Sequence, residues 1–172
     1  MGAPIDVVDY DKRWPQIFEA LRLRVVTTLG SVALAVEHVG STSVPGLAAK
    51  PIIDMDVVVG SEAAVPVAIQ RLATLGYVHR GNLGVAGREA FQSPPDAPAH
   101  HLYVCAADAE ALRRHLCFRN FLRAHPDEAR AYAELKKTLA LRFRNDRDAY
   151  TEAKTGFVLA VLKNGNRAQV TD

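Results

Sequence analysis

Apolar residues recur along this chain with two different periods, and each period predicts one kind of element. A stripe at helical spacing, such as Phe18, Leu21 and Val25, is typical of a helix packed on one side. Short apolar runs between turn residues are typical of strands. The predicted helices cover residues 12–29, 62–75, 108–124, 126–143 and 147–163. The predicted strands cover residues 32–39, 52–59 and 100–106, with a strand and hairpin over 77–93.

The order of these elements predicts the fold class. Strands and helices mix in the first part of the chain, and only helices follow. This order is typical of an α+β protein, here a small mixed β-sheet backed by helices, with a helical C-terminal portion. We expect one domain over residues 1–172, with a sheet-containing core at about 8–106 and a helical portion at about 108–163. Three boundary features are also expected: a helix end at Gly30, an N-cap at Asp108 and fraying from Asn164.

The second predicted strand carries two aspartates. Asp54 and Asp56 are two positions apart, so their side chains point to one face of the strand, with Cα atoms about 6.5–7 Å apart. The opposite face carries Ile53, Met55 and Val57, which suit a packed core. An edge strand with solvated aspartates is the alternative. The apolar runs on both sides of the aspartates favour a buried strand.

Two carboxylates on one buried face predict a metal site. Burying one carboxylate is costly, and burying two that face each other costs more unless a cation lies between them. Carboxylate oxygens favour Mg²⁺ or Mn²⁺ over softer metals. Asp54 and Asp56 can reach one such ion, or bracket two ions about 3.5–4 Å apart. We therefore predict both aspartates as catalytic metal ligands.

The loop before this strand predicts a phosphate site. Gly40 and Ser41 form a Gly-Ser turn whose backbone is suited to holding a phosphate. Thr42 and Ser43 add hydroxyls that either contact the phosphate or bond their own backbone at the turn. Lys50 either reaches the phosphate as a point charge or is a solvated loop lysine.

Together, the turn and the aspartate strand resemble a known family. The run from His38 to Leu47, with the run from Lys50 to Asp54, resembles the GrpB family, within the polymerase-β-type nucleotidyltransferase superfamily. Weaker matches extend the resemblance over about residues 8–162. The resemblance implies a nucleotidyltransferase-like fold and metal-dependent transfer from a nucleoside triphosphate, with the Gly-Ser turn near the triphosphate. A related domain occurs fused to dephospho-coenzyme A kinase in some bacteria.

Members of that superfamily usually take a third carboxylate from a later strand, and this chain departs from the pattern. The strand over residues 100–106 begins with His100 and His101 and contains no Asp or Glu. We favour His101 as a metal ligand or proton acceptor, because neutral imidazole serves either role near pH 7. A hydrogen-bonded strand histidine is the alternative. Glu89 is either a substitute carboxylate or a solvated hairpin residue, and His38 is expected to orient the Gly-Ser turn.

Three basic residues of the helical portion are candidates for the phosphate pocket. Arg119 lies on the apolar side of its predicted helix, where an unpaired arginine is costly. It needs a phosphate, or at rest a carboxylate such as Asp54 or Asp56. Lys136 and Lys154 lie between apolar neighbours, where they either close a phosphate pocket or extend past those neighbours into solvent.

Composition narrows the function classes. An apolar fraction of 49% and a charged fraction of 23% are ordinary for a soluble globular protein. A net charge of +2 does not favour a nucleic-acid or membrane-surface protein. No apolar run approaches the ~18 residues of a membrane span, and Met1–Asp6 lack the features of a signal peptide. We therefore expect a cytoplasmic protein in which Cys105 and Cys117 are buried thiols.

The leading hypothesis is a metal-dependent nucleotidyl or phosphoryl transferase. Its predicted partners are a nucleoside triphosphate, Mg²⁺ or Mn²⁺, and an unidentified small-molecule acceptor. The second hypothesis is a non-catalytic nucleotide- or metabolite-binding module, which the missing third carboxylate favours. A protein-interaction domain with a vestigial site is the third. The oligomeric state, the nucleotide and the acceptor stay open at this point.

Overall fold

The computed structural model describes the backbone of residues 3–170 and the side chains of residues 3–168. Met1, Gly2, Thr171 and Asp172 belong to the predicted domain and lie outside the described residues. The helices are α1 (Trp14–Leu29), α2 (Val65–Ala73), α3 (Glu110–Ala124), α4 (Pro126–Arg142) and α5 (Arg147–Val170). The strands are β1 (Ala33–Val39), β2 (Ile53–Val59), β3 (Val78–His79), β4 (Glu89–Gln92) and β5 (His100–Ala106).

The strands form one mixed sheet of five in the order β1-β2-β5-β4-β3. Strand β2 lies between an antiparallel neighbour, β1, and a parallel neighbour, β5. The prediction that the aspartate strand is not an edge strand is therefore confirmed. The α+β class, with a mixed sheet backed by helices and a helical C-terminal portion, is also confirmed.

The two faces of the sheet pack against different helices. One face carries Ile53, Met55 and Val57, which are buried with residues of α1 and α2 in the largest apolar cluster. On the other face, Val58 and Cys105 pack against Leu112 of α3. Asp54 and Asp56 share this second face, because side chains alternate along a strand. The aspartates therefore lie between the sheet and the C-terminal helices.

Two predicted boundaries are wrong. Asp108 does not cap α3: the N-cap position is Ala109, and no side chain caps the helix. The tail from Asn164 does not fray, because α5 continues to Val170 and packs closely on α3. At Gly165 a side chain would collide with Cys117 Sγ, and the Cys117 thiol donates to Asn166 Oδ1 at 3.5 Å. By contrast, Gly30 follows the last residue of α1 with φ +55°, as predicted.

Two further expectations concern cysteines and membranes. Cys105 and Cys117 are free and buried, so the prediction of buried thiols is confirmed. Burial raises the pKa of the Cys105 thiol to about 12, which keeps it protonated and unreactive at neutral pH. Within residues 3–170, none of the helices is long and apolar enough to cross a membrane.

Candidate active site

A cleft of about 480 Å³ opens between the aspartate face of the sheet and the C-terminal helices. The sheet side contributes Asp54 of β2 with His101 and Tyr103 of β5, beside the turn at Gly40. The helical side contributes side chains of α3, α4 and α5, with Lys50 from the loop before β2. The predicted site residues that line the cleft are Gly40, Ser41, Thr42, Lys50, Asp54, His101, Lys136 and Lys154. Three of the other candidates, Asp56, Ser43 and Arg119, do not line it.

The turn after β1 approaches the aspartate strand closely. Gly40 has φ +71°, a conformation that favours glycine. A Cβ atom there would overlap the Asp54 carboxylate and lie 3.0 Å from Asp54 Cβ, so the position needs glycine for space as well. The Ser43 hydroxyl donates to the Gly40 carbonyl at 2.5 Å. A bond to the backbone of the turn was one of the two alternatives for Ser43, the other being contact with a phosphate. Ser43 therefore stabilises the turn from behind.

His38 supports the same turn. Its Nε2 is hydrogen-bonded to Thr42 Oγ1 at 2.9 Å, and its ring stacks on Phe18 with centroids 4.5 Å apart. Burial lowers the pKa of His38 to about 4, with a smaller contribution from the positive charge of Arg123. The ring is therefore neutral at pH 7. These contacts agree with the expectation that His38 orients the Gly-Ser turn.

Asp54 is paired with the histidine directly across the strand pair. Asp54 and His101 are register partners of the parallel strands β2 and β5. His101 Nδ1 donates to Asp54 Oδ1 at 2.8 Å, and both side chains are partly exposed in the cleft. In the neutral tautomer that donates through Nδ1, the Nε2 of His101 is an acceptor. This contact fits both the predicted site role and the alternative of a hydrogen-bonded strand histidine, so the role of His101 stays a prediction.

Asp56 lies deeper than Asp54. Its side chain is 0% exposed, and its Oδ2 accepts a hydrogen bond from Nδ1 of His115 on α3 at 2.6 Å. The other oxygen, Oδ1, is buried and has no hydrogen-bond partner among the described residues. Burial raises the pKa of Asp56, and the hydrogen bond from His115 opposes that shift. A buried carboxylate with an unpaired oxygen is an incomplete polar site.

This unpaired oxygen bears on whether a metal ion fits. Two carboxylates on one face supply the oxygen ligands that a hard divalent cation needs, and a cation at Asp56 would satisfy the buried Oδ1. In the described part of the chain, no three Asp, Glu, His or Cys side chains already converge as a finished metal site. The donor chemistry therefore fits a hard cation, and binding one would require the side chains around Asp56 to rearrange.

The register of β4 and β5 decides whether Glu89 can replace the missing carboxylate. Glu89 pairs with Val104, so it lies on the sheet face opposite to Asp54 and Asp56. Its partner is His79, at 2.5 Å. Glu89 therefore cannot act as the substitute carboxylate. His100 also points away from the cleft, where Tyr77 donates a hydrogen bond to its Nε2 at 2.7 Å.

Three lysines converge on the helical side of the cleft. Lys50, Lys136 and Lys154 all line it, and none forms an ion pair at hydrogen-bonding distance within residues 3–168. The ammonium groups of Lys50 and Lys154 lie 5.5 and 4.2 Å from the centre of the Tyr150 ring. Lys136 is 3% exposed, and its ammonium group donates to the Ala48 carbonyl.

The pKa values of Lys136 and Lys154 are lowered by burial and by neighbouring positive charges. Burial, followed by the charges of Lys154 and Lys50, lowers the pKa of Lys136 to about 7. Burial and the charge of Lys50 lower the pKa of Lys154 to about 8. Asp54 opposes both shifts. The cleft thus concentrates positive charge within the electrostatic reach of Asp54.

Arg119 has a different partner from the one expected. Its Nη1 donates to Glu37 Oε2 at 2.6 Å and to the His38 carbonyl at 3.0 Å. The suggestion that Asp54 or Asp56 is the resting partner was wrong, because Arg119 reaches β1 rather than β2. The helical spacing nevertheless indicated correctly that this arginine faces inward, since its side chain is 12% exposed. Its contacts position the end of β1 just before the Gly-Ser turn.

Sequence reasoning did not single out His115. Its helix places Leu112, His115, Arg119 and Leu122 along one inward-facing stripe. Like Arg119, His115 is a polar residue on an apolar stripe and needs a polar partner. The partner, Asp56, is 59 residues away along the chain. No local pattern indicates such a pair.

The Lys136 ammonium predicts a pH-dependent stability. Unfolded Lys136 keeps its proton up to about its usual pKa of 10.5, whereas the folded protein releases it near pH 7. Between these values the folded state binds fewer protons, so the free energy of unfolding rises with pH. Relative to Lys136→Met, the wild type is expected to gain about 2 kcal/mol between pH 7 and pH 9 in urea unfolding. Lys137→Met is the matched control, because Lys137 is exposed and pairs with Asp9. Equal gains in wild type and Lys136→Met would contradict the prediction.

Comparison with known proteins places the chain in a family. A family model for GrpB protein matches residues 4–164. The chain belongs to the GrpB family. This confirms the resemblance drawn from the turn and the aspartate strand.

Relatives of this GrpB-family chain include the UPF0157 protein YqkA of Bacillus subtilis, which is 36% identical over 163 residues. That alignment covers 95% of this chain and 48% of YqkA, so the chain spans about half of that relative. A crystal structure of conserved protein GrpB from Enterococcus faecalis matches with a TM-score of 0.87 and 35% identity, covering 95% of this chain and 99% of that one. A dephospho-CoA kinase of Mycolicibacterium paratuberculosis is 27% identical over 177 residues, covering 88% of this chain and 44% of the kinase.

Proposed function

We propose that this protein binds a nucleoside triphosphate with a divalent cation, Mg²⁺ or Mn²⁺, and transfers a nucleotidyl or phosphoryl group to a small-molecule acceptor. The observation that carries the proposal is one cleft with Asp54 on its sheet side and three crowded lysines on its helical side. A polyphosphate that binds together with a metal ion needs carboxylates to hold the ion and positive side chains to balance the phosphate charge. The cleft volume of about 480 Å³ suits a small ligand.

The carboxylates have the role of holding the cation. Asp54 and Asp56 would be its ligands, and the cation would supply charge neutralisation and alignment of the reacting groups. His101 contacts Asp54 through Nδ1, so its Nε2 can accept the proton of an acceptor hydroxyl or amine. Phosphoryl transfer is catalysed mainly by positioning of the reactants and by electrostatic stabilisation. Asp54, Asp56 and His101 would supply the kinds of group that this catalysis needs.

The phosphate tail would lie along the lysines and the Gly-Ser turn. Gly40 and Ser41 offer backbone N–H groups beside Asp54. Ser41 lines the cleft together with the buried Tyr132. Lys50 and Lys154 would balance the phosphate charge as point charges on flexible stems. Burial lowers the pKa values of these lysines most, and ligand binding would relieve the smaller contribution of their mutual repulsion.

Thermal stability against a ligand panel tests the proposal. The panel contains nucleoside mono-, di- and triphosphates and coenzyme A, each with and without Mg²⁺ or Mn²⁺. A ligand at about 100 times its Kd adds roughly 2.7 kcal/mol, which raises the Tm by several degrees for a protein of this size. We expect a metal-dependent shift with at least one triphosphate, and its loss in Asp54→Asn.

Two comparisons make that test specific. Glu89→Gln changes a carboxylate on the opposite sheet face and should leave the shift unchanged. A shift of equal size in Asp54→Asn would contradict the metal role of Asp54. No shift with any nucleotide in wild type would overturn the proposal.

A non-catalytic nucleotide- or metabolite-binding module is the second candidate. The observation that favours it is that β5, the parallel neighbour of the aspartate strand, contains no carboxylate. Similarity to part of a dephospho-CoA kinase is compatible with a binding role beside another enzyme. Incubation with triphosphates radiolabelled at the α or γ position separates the candidates. Label transfer to an acceptor or to water supports the enzyme, and tight binding without turnover supports the module.

A further inference from the structure

We infer that His115 is a third protein ligand of the metal ion and replaces, from helix α3, the carboxylate that β5 lacks. The inference rests on the proposed function, in which Asp54 and Asp56 hold the cation. It adds a ligand from the helical side of the cleft, so that the ion joins α3 to the sheet. It also narrows the preferred metal from Mg²⁺ or Mn²⁺ to Mn²⁺ or a similar first-row transition ion.

The unpaired oxygen of Asp56 is the first observation behind this inference. The carboxylate is 0% exposed, and its Oδ1 has no partner among the described residues. Leaving a buried carboxylate oxygen unpaired is costly, and a bound cation would remove that cost. His115 lines the cleft whereas Asp56 does not. A cation that reaches Asp56 from the cleft therefore meets the His115 imidazole beside it.

The second observation is the spacing of the donors. His115 Nδ1 lies 2.6 Å from Asp56 Oδ2, and His101 Nδ1 lies 2.8 Å from Asp54 Oδ1. Neighbouring ligands of an octahedral ion with bonds of about 2.1 Å lie about 3 Å apart. The His115–Asp56 pair is already close to this separation. His115 can therefore exchange its hydrogen bond for an ion that it shares with Asp56, in the neutral tautomer that carries its proton on Nε2, whereas His101 keeps its hydrogen bond to Asp54 and its acceptor Nε2.

The donor set then favours a first-row transition ion. Mg²⁺ prefers oxygen ligands alone, whereas imidazole nitrogen suits transition metals. With the His115 imidazole beside two carboxylates, the site should select Mn²⁺, or a similar ion, over Mg²⁺. This narrows the cation from the pair named in the proposed function.

Pulsed electron paramagnetic resonance of bound Mn²⁺ tests the inference without any assay of activity. The full chain is loaded with Mn²⁺ alone, and electron spin echo modulation reports ¹⁴N nuclei bonded to the ion. We expect modulation from imidazole nitrogen, replaced by the ¹⁵N signature when only histidine is ¹⁵N-labelled. In His115→Gln the modulation should fall, and the affinity for Mn²⁺ should drop at least about tenfold. His79→Gln, on β3, should match wild type.

The outcomes separate this inference from the proposed function. Bound Mn²⁺ without histidine modulation, or with modulation unchanged in His115→Gln, overturns the role of His115 and leaves the carboxylate site standing. Equal affinity for Mg²⁺ and Mn²⁺ overturns the metal preference. Absence of Mn²⁺ binding, with and without a nucleoside triphosphate, overturns both the inference and the metal site. The labelled wild type gives its answer without any substitution, so the test does not depend on how His115→Gln folds.

Discussion

Replacing Gly40 with alanine is expected to destabilise the protein by about 3 kcal/mol or more. The new Cβ would overlap the Asp54 carboxylate, so either the turn or the aspartate must move. A non-glycine residue at φ +71° and ψ −174° also carries a strain of roughly 1–3 kcal/mol. Because the displaced carboxylate is a proposed metal ligand, metal-dependent nucleotide binding should be lost as well. Urea unfolding and calorimetry of nucleotide binding measure the two effects.

Gly46→Ala is the matched control for this substitution. Gly46 lies in the same loop and has φ +81°, but no atom of the described residues lies within 4 Å of a Cβ placed there. Its replacement should cost only the backbone strain, about 1–2 kcal/mol, and should preserve nucleotide binding. Equal losses of stability in the two variants would show that the close approach to Asp54 is unimportant.

Replacing Lys154 with methionine is expected to weaken binding of a nucleoside triphosphate about 30-fold. Lys154 lines the cleft with Lys50 and forms no ion pair within residues 3–168, so its charge is available for a phosphate. Loss of one charge-assisted contact of about 2 kcal/mol corresponds to this factor. Binding of the unphosphorylated nucleoside should hardly change, because methionine keeps most of the apolar stem. Titration calorimetry at pH 7 with nucleoside, monophosphate and triphosphate measures the series.

Lys163→Met provides the comparison on the same helix. Lys163 is exposed and does not line the cleft. Its substitution removes the same formal charge and should change triphosphate affinity less than twofold. If Lys154→Met and Lys163→Met weaken binding equally, the effect is one of net charge, and the phosphate subsite is misplaced.

The local patterns predicted most elements because they depend on neighbouring residues. The apolar alternation around Asp54 and Asp56 correctly indicated a buried strand with its core side at Met55. The Gly-Ser turn was also evident, since it needs only a glycine and short polar side chains. Where a boundary depended on distant packing, as at Asn164, local propensity failed because α3 stabilises the end of α5.

The sequence by itself determined the α+β class, the aspartate strand, the turn and the inward-facing position of Arg119. These follow from residue spacing, which acts over one or two turns of a helix or along one strand. Only the tertiary structure decided which polar groups meet. In the folded chain Asp56 pairs with His115, and Arg119 pairs with Glu37. Glu89 lies on the sheet face opposite to the two aspartates. Lys50, Lys136 and Lys154 line one cleft. Such contacts depend on strand register and on how elements far apart in the chain pack together. The spacing of residues along the sequence carries no information about either.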